Sequence, residues 1–296
     1  MKMKEMKGTK VKSGFLVTKI IAFIIFIGYS ITLIYPVVWA LVQSFNDNFL
    51  FFRDPFALPP EWHFENWPEA FKLISVRGTN PLERTNLIGL FGNSLWLTGI
   101  GTLIATFVPA MTAYVTSKYN FKMRGFIYSL AIFIMIIPIV GALPAQYKLY
   151  RQLGLYNSPL ILLTYTGGFG FNFIVLYGYF KNISWSYAEA AFMDGASNLK
   201  VFLYIMLPLA MPCMASLYII AFIGGWNDYT TPYLFLPDFP TIASGLYIFG
   251  LSIKEANTNY PVYFAGILMS MLPVLTLFVL FSETIMQNTV AGGLKG

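Results

Sequence analysis

Long apolar runs alternate with short polar ones along this chain. Six runs carry no Asp, Glu, Lys, Arg or His: residues 20–46, 85–117, 125–147, 152–180, 201–227 and 256–282. Each exceeds the roughly 20 residues that a helix needs to cross a bilayer. The pattern predicts an all-α polytopic membrane protein with six transmembrane helices. A further apolar stretch, 242–253, is too short to cross and contains Ser244, Gly245 and Gly250. It reads as a re-entrant or interfacial segment on the outer side.

The polar stretches set the orientation. Residues 1–19 hold six lysines (Lys2, Lys4, Lys7, Lys10, Lys12 and Lys19) against Glu5. The run that follows is too long for the apolar core of a cleaved signal, so it reads as an uncleaved first span with a cytoplasmic N-terminus. With that layout the cytoplasmic side takes 12 of the 19 basic residues and 4 of the 13 acidic ones, as the positive-inside rule requires. The expected organisation is a basic cytoplasmic N-terminus (1–19), a first span (20–46), an outer loop (47–84), a five-helix core (85–285) and a cytoplasmic tail (286–296). The outer loop is rich in aromatics and prolines, suited to packing over an outer mouth or receiving a partner.

The same layout places a polar island, 183–203, in the cytoplasm between spans four and five. Ser186 and Glu189 have the spacing of a capping box, so a short helix is expected to start at Ser186. Gly195 can close it in the left-handed conformation, and Ser197 can cap the next helix. The product is a helix-turn-helix. Ala190 and Ala191 allow close approach of another backbone, Glu189 offers a carboxylate to a partner's Arg or Lys, and Phe192 and Met193 are apolar anchors. The plainer alternative is that Glu189 only caps its own helix and the alanines only favour helix.

Composition narrows the classes of function. The chain is 57% hydrophobic and 11% charged, with mean hydropathy +0.64, which fits an integral membrane protein. The net charge of +6 is accounted for by topology, so nucleic acid is not an expected partner. Cys213, the single cysteine, forms no intramolecular disulfide, and His63, the single histidine, lacks clustered partners for a metal site. No catalytic group or metal site is expected. The runs lack the ionisable residues that proton-coupled carriers use, and no phosphate-binding G-x-x-x-x-G-K-[ST] loop occurs. Energy must come from another subunit, or the pathway is passive. Polar residues such as Asn93, Ser94, Gln146, Thr164, Thr166 and Asn172 would suit a lined cavity, whereas Gly167, Gly168 and Gly170 equally suit helix packing.

Glu189-Ala190-Ala191, three residues, Gly195, nine residues, Ile205-x-Leu207-Pro208 resembles the cytoplasmic signature of permease subunits in binding-protein-dependent ATP-binding-cassette importers. Other stretches fall in the family's order: Phe64-Glu65-Asn66-Trp67, Asn93-Ser94, Ala113-Tyr114, Arg124-Gly125, Pro138, Pro144, Tyr147, 153–158, Asp194-Gly195-Ala196-Ser197, Trp226-Asn227-Asp228 and the terminal Gly292-Gly293-Leu294-Lys295-Gly296. The chain departs at 183–188, where the family has proline and acidic residues before the signature. The likeness is to the carbohydrate-uptake branch, in particular the six-span maltose-type permease. It implies a second permease subunit, two ATP-binding cassette subunits, an outer solute-binding protein, a sugar substrate, and a prokaryotic cell membrane. It implies no cofactor on this chain, ATP being used by the partner subunits. Glu189, Ala190, Ala191, Phe192, Met193, Asp194, Gly195, Leu207 and Pro208 would form the ATPase-coupling loop, and Asn93, Asn172, Trp226 and Asn227 are the pathway candidates. The rival reading is a stand-alone six-helix channel or facilitator for a small polar solute.

Overall fold

The computed structural model describes residues 8–137, 141–167 and 169–291. Lys2, Lys4, Glu5, Lys7, Pro138, Gly168 and the terminal residues 292–296 lie outside them. The chain divides into two compact units, residues 1–70 with 256–268, and 71–255 with 269–296.

The first unit is built on α1 (Gly8–Gln43). Its part from Phe15 to Gln43 is 29 residues of apolar helix, with none of its most apolar window buried. The chain beyond it is held by Asn66, whose Nδ2 donates to the carbonyls of Ser44 and Asn46, both at 3.0 Å. Trp67 Nε1 donates to Ser44 Oγ at 3.2 Å, and its ring stacks on Phe45 at 5.7 Å. The 64–67 stretch thus satisfies carbonyls just beyond the end of α1, where no helical partner remains. α2 (Asn48–Arg53) is capped by the Asp47 side chain, which accepts from the amides of Phe49 and Leu50.

α3 (Asn66–Leu73) runs across the boundary at residue 70, and the second unit continues with a hairpin, β1 (Ser75–Arg77) with β2 (Arg84–Asn86), after which Asn86 caps α4 (Leu87–Lys118). α5 (Arg124–Ile136) and α6 (Leu143–Gln152) follow, then a 3-10 segment (Pro159–Thr166) and α7 (Phe171–Asn182). Next come α8 (Ser186–Met193), α9 (Asn198–Val201), a π-helical turn (Phe202–Met206), α10 (Leu207–Trp226), α11 (Thr230–Phe235), α12 (Ile242–Ala256) and α13 (Tyr260–Ala291), whose residues up to 268 belong to the first unit. The main core joins α4, α7, the π turn and α10 through Ala110, Ala113, Phe173, Leu176, Met206 and Ala210. Alanines on α4 allow α7 to approach without a wedge of side chains.

Four helices among the described residues are long and apolar enough to cross: Phe15–Gln43, Leu87–Lys118, Asn198–Trp226 and Tyr260–Glu283. They coincide with expected spans one, two, five and six. The other two runs are not single straight helices. The third breaks after Ile136: Ile137 is extended (φ −75°, ψ 115°), as steric conflict with the ring of a following proline dictates. The fourth begins as a turn, with Gly154 at φ +69° and Asn157 at φ +52°. It continues as the 3-10 segment, which meets α7 at a bend of 51°. Counting that bent pair as one span raises the total to five. The 242–253 stretch lies in α12, whose 15 residues rise only about 22 Å, short of the bilayer core. Its first residue, Ile242, donates its amide to Ser94 Oγ at 2.8 Å.

Candidate functional site

The polar loop between α7 and α10 is clasped from beneath by aromatic rings. Tyr114 contacts Phe180 (5.6 Å) and Phe202 (5.0 Å), Tyr119 lies edge-on to Trp185 (5.7 Å), and Trp185 packs on Phe192 (6.0 Å). Polar bonds fix the same clasp: Tyr119 Oη donates to Asn198 Oδ1 at 3.0 Å and Lys118 Nζ to the Ile183 carbonyl at 2.5 Å. Beside it lies a groove of about 310 Å³ lined by Met111, Tyr114, Val115, Tyr119, Asn198, Leu199 and Phe202.

α8 starts at Ser186, but the capping box is not formed. Ser184 Oγ accepts from the Ser186 amide at 3.3 Å and pairs with Ser186 Oγ at 2.7 Å, which draws the Ser186 hydroxyl toward Ser184. Glu189 is exposed, and no hydrogen bond or ion pair engages its side chain among the described residues. Gly195 takes φ +79°. Its amide donates to Phe192 O and that of Ala196 to Ala191 O, both at 3.0 Å, the paired bonds of a Schellman closure. Ser197 Oγ caps α9 by accepting from the Lys200 amide at 3.4 Å.

One face of α8 therefore serves the fold and the other is open. Ala188 is buried and Ala191 and Phe192 are half-buried, whereas Glu189, Ala190, Met193, Asp194 and Gly195 are exposed. Met193 stands out at 88% exposure, while Phe192, expected as an anchor for a partner, is largely used inside the clasp. Leu207 and Pro208 begin α10 behind the π turn, where the Leu207 amide reaches Phe202 O. A proline in a regular helix crowds the carbonyl four residues back; the widened turn relieves that clash at Tyr204.

The pathway candidates do not form one cluster. Asn172 Nδ2 donates to the Ala105 carbonyl on α4 at 3.0 Å. Asn93 lies 12 residues earlier on α4, about 18 Å along the axis, donating to the Pro240 carbonyl at 2.9 Å. Trp226 is buried, stacked on Phe222 at 5.7 Å with Nε1 donating to the Ser270 carbonyl at 2.9 Å. Asn227 beside it is exposed.

A polar centre that the sequence reading missed joins three further segments. Asp238 accepts from the Thr79 amide (2.6 Å), the Thr79 hydroxyl (2.8 and 2.9 Å) and Asn157 Nδ2 (2.5 Å). The Thr79 amide above all, with the Asn157 amide and the Thr79 hydroxyl, holds the Asp238 carboxyl below the usual range. The only sequence signal was the left-handed preference of Asn157 after Gly154.

A family model described as "Binding-protein-dependent transport system inner membrane component" matches residues 105–287, a range that includes the α8–α9 loop. The probable ABC transporter permease protein YurM of Bacillus subtilis is 30% identical, over 90% of this chain and 86% of its own. The galactooligosaccharides transport system permease protein GanQ of the same species is 29% identical over 90% and 92%. The diacetylchitobiose uptake system permease protein NgcG of Streptomyces coelicolor is 28% identical over 89% and 85%. In structure, a chain of a bacterial ABC transporter involved in the import of the acidic polysaccharide alginate superimposes with a TM-score of 0.69 at 22% identity, covering 95% of this chain and 99% of its own. The two share a fold.

Proposed function

This chain belongs to the family of binding-protein-dependent transport system inner membrane components, and on that premise we propose that it is the permease subunit of an importer for a saccharide. It works in a prokaryotic cell membrane with both termini cytoplasmic. A second permease, two ATP-binding cassette subunits and an outer solute-binding protein complete the assembly. The chain holds no cofactor, and ATP is hydrolysed on the partner subunits. The exposed face of α8 docks in a cleft of one ATPase, and closure of the ATPases moves it so that the cavity opens outward. The saccharide assignment rests on relatives whose names specify galactooligosaccharides, diacetylchitobiose and maltose or maltodextrin.

The observation that carries the reading is the asymmetry of α8: a carboxylate at Glu189 with no partner among the described residues, small Ala190 and a projecting Met193 on a helix clasped along its other side. Such a face has the charge, closeness of approach and apolar anchor of a helix that enters a groove. The test is to tag this chain, extract it in mild detergent from its native membrane and identify what co-purifies. A second permease with an ATP-binding subunit is expected. Recovery of this chain alone, under conditions that preserve a known importer in parallel, would sink the reading.

A further inference from the structure

Three tyrosines gather just past the far end of α10 from the α8–α9 loop. Tyr229 and Tyr247 stack with ring centroids 4.5 Å apart at 26°, and Tyr233 meets Tyr247 edge-on at 5.3 Å. Tyr229 and Tyr233 are 43% and 45% exposed. Beneath them α10 carries a ladder of Tyr218, Phe222 and Trp226, but Phe222 and Trp226 are buried and the Trp226 indole is bonded to Ser270. Among these rings, Tyr229 and Tyr233 are the exposed ones.

Polar groups adjoin them. Exposed Asn227 uses Nδ2 on the Ile223 carbonyl (2.8 Å) and leaves Oδ1 without a partner among the described residues. Asp228 spends Oδ1 on the amides of Thr230 (2.9 Å) and Thr231 (3.1 Å), and Oδ2 accepts nothing among the described residues. An aromatic face beside unspent acceptors suits a ligand with flat apolar C–H patches and a rim of hydroxyl donors.

Resting on the saccharide reading above, we propose that Tyr229, Tyr233 and Tyr247, with Asn227 and Asp228, form a stacking platform for a neutral saccharide at the outer end of the pathway. The carboxylate of Asp228 selects against acidic sugars, since like charges brought together are unfavourable.

The test uses the intact importer, purified through a tag on this chain and reconstituted in vesicles with its binding protein. The probes are radiolabelled maltotriose, raffinose, galactobiose and diacetylchitobiose, with an alginate oligosaccharide as the acidic probe. Tyr229→Leu keeps apolar bulk but removes the ring, and should slow uptake of the transported neutral sugar about ten-fold, the scale of one lost aromatic contact. ATP hydrolysis stimulated by the binding protein should persist, and Tyr229→Trp should restore uptake. Unimpaired uptake in Tyr229→Leu would make the stack a membrane-interface belt and overturn the platform alone. Loss of the ATPase subunits from Tyr229→Leu would make it an assembly contact and overturn the platform equally. Equal uptake of the acidic probe would refute the selectivity. If the unaltered complex imports none of the probes, the saccharide reading falls and the platform with it.

Discussion

Glu189, on α8, and Asp238, between α11 and α12, are carboxylates of the same compact unit in opposite circumstances. Asp238 accepts hydrogen bonds from Thr79 and Asn157 and so ties three segments together. Glu189 stands on a helix that the chain braces with Trp185, Tyr119 and Tyr114, yet its own oxygens engage nothing among the described residues. A carboxylate whose acceptors are all used inside the chain is there for the fold. One that is held on a braced helix and left open is what the proposed docking requires.

Substitutions at the two sites should separate these roles. The largest effect is expected from Glu189→Lys. If α8 docks as proposed, reversing a charge set against a basic partner costs several kcal/mol, enough to cut coupling more than about 100-fold. Uptake should be abolished while the protein stays in the membrane with an unchanged melting temperature. Uptake at the unaltered rate would disprove docking through this face. Asp238→Ala should do the reverse, lowering stability by about 1.5 kcal/mol, the low end for hydrogen bonds to a charged group because the site is partly open to water. Thermal unfolding in detergent measures the loss, and co-purification should show the ATPases still bound.

The pH dependence follows from the same network. The Asp238 carboxyl is held below its ordinary value of 3.8 in the folded protein. Its contribution is therefore fully present above that value and is lost as pH falls through the lower folded value. The melting temperature of Asp238→Asn should converge on that of the unaltered protein only in strong acid. A gap that closes between pH 7 and 5 would contradict this assignment.

Gly195→Ala comes next. A methyl group would meet nothing within 4 Å, so only the φ of +79° resists, at about 1 kcal/mol. Uptake should fall partially, and Gly195→Asn, which tolerates this conformation, should recover it. The smallest change belongs to Asn172→Leu, which removes one bond to the Ala105 carbonyl worth about 0.6 kcal/mol within a membrane helix pair. Reduced uptake with the ATPases retained would place Asn172 beside the solute, whereas loss of the ATPases would make it structural.

The membrane class and four of the spans were legible because lack of charge over 20 or more residues is a strong signal. The same signal does not foretell the breaks in the third and fourth runs, since it registers transfer into lipid and not backbone geometry. Ile137 before Pro138, and the left-handed residues Gly154 and Asn157, end helices without adding any charge. In the α8–α9 loop, Gly195 and Ser197 were readable because each acts on its own local backbone. The cap at Ser186 was misread because Ser184 competes for it at shorter range. The Asp238 centre was invisible: its partners lie 159 and 81 residues away in sequence, and no local pattern announces a bond of that separation.

The run from α9 through the π turn to α10 is one helical rod of 29 residues, Asn198 to Trp226, about 43 Å long. The open face of α8 sits just before one end and the Tyr229 stack just after the other. A tilt of about 5° would carry one end roughly 4 Å past the other, since length converts angle into displacement. The rod thus has the proportions of a lever, in which a slight rotation at the α8–α9 loop becomes a travel at the tyrosines comparable to the thickness of a sugar ring.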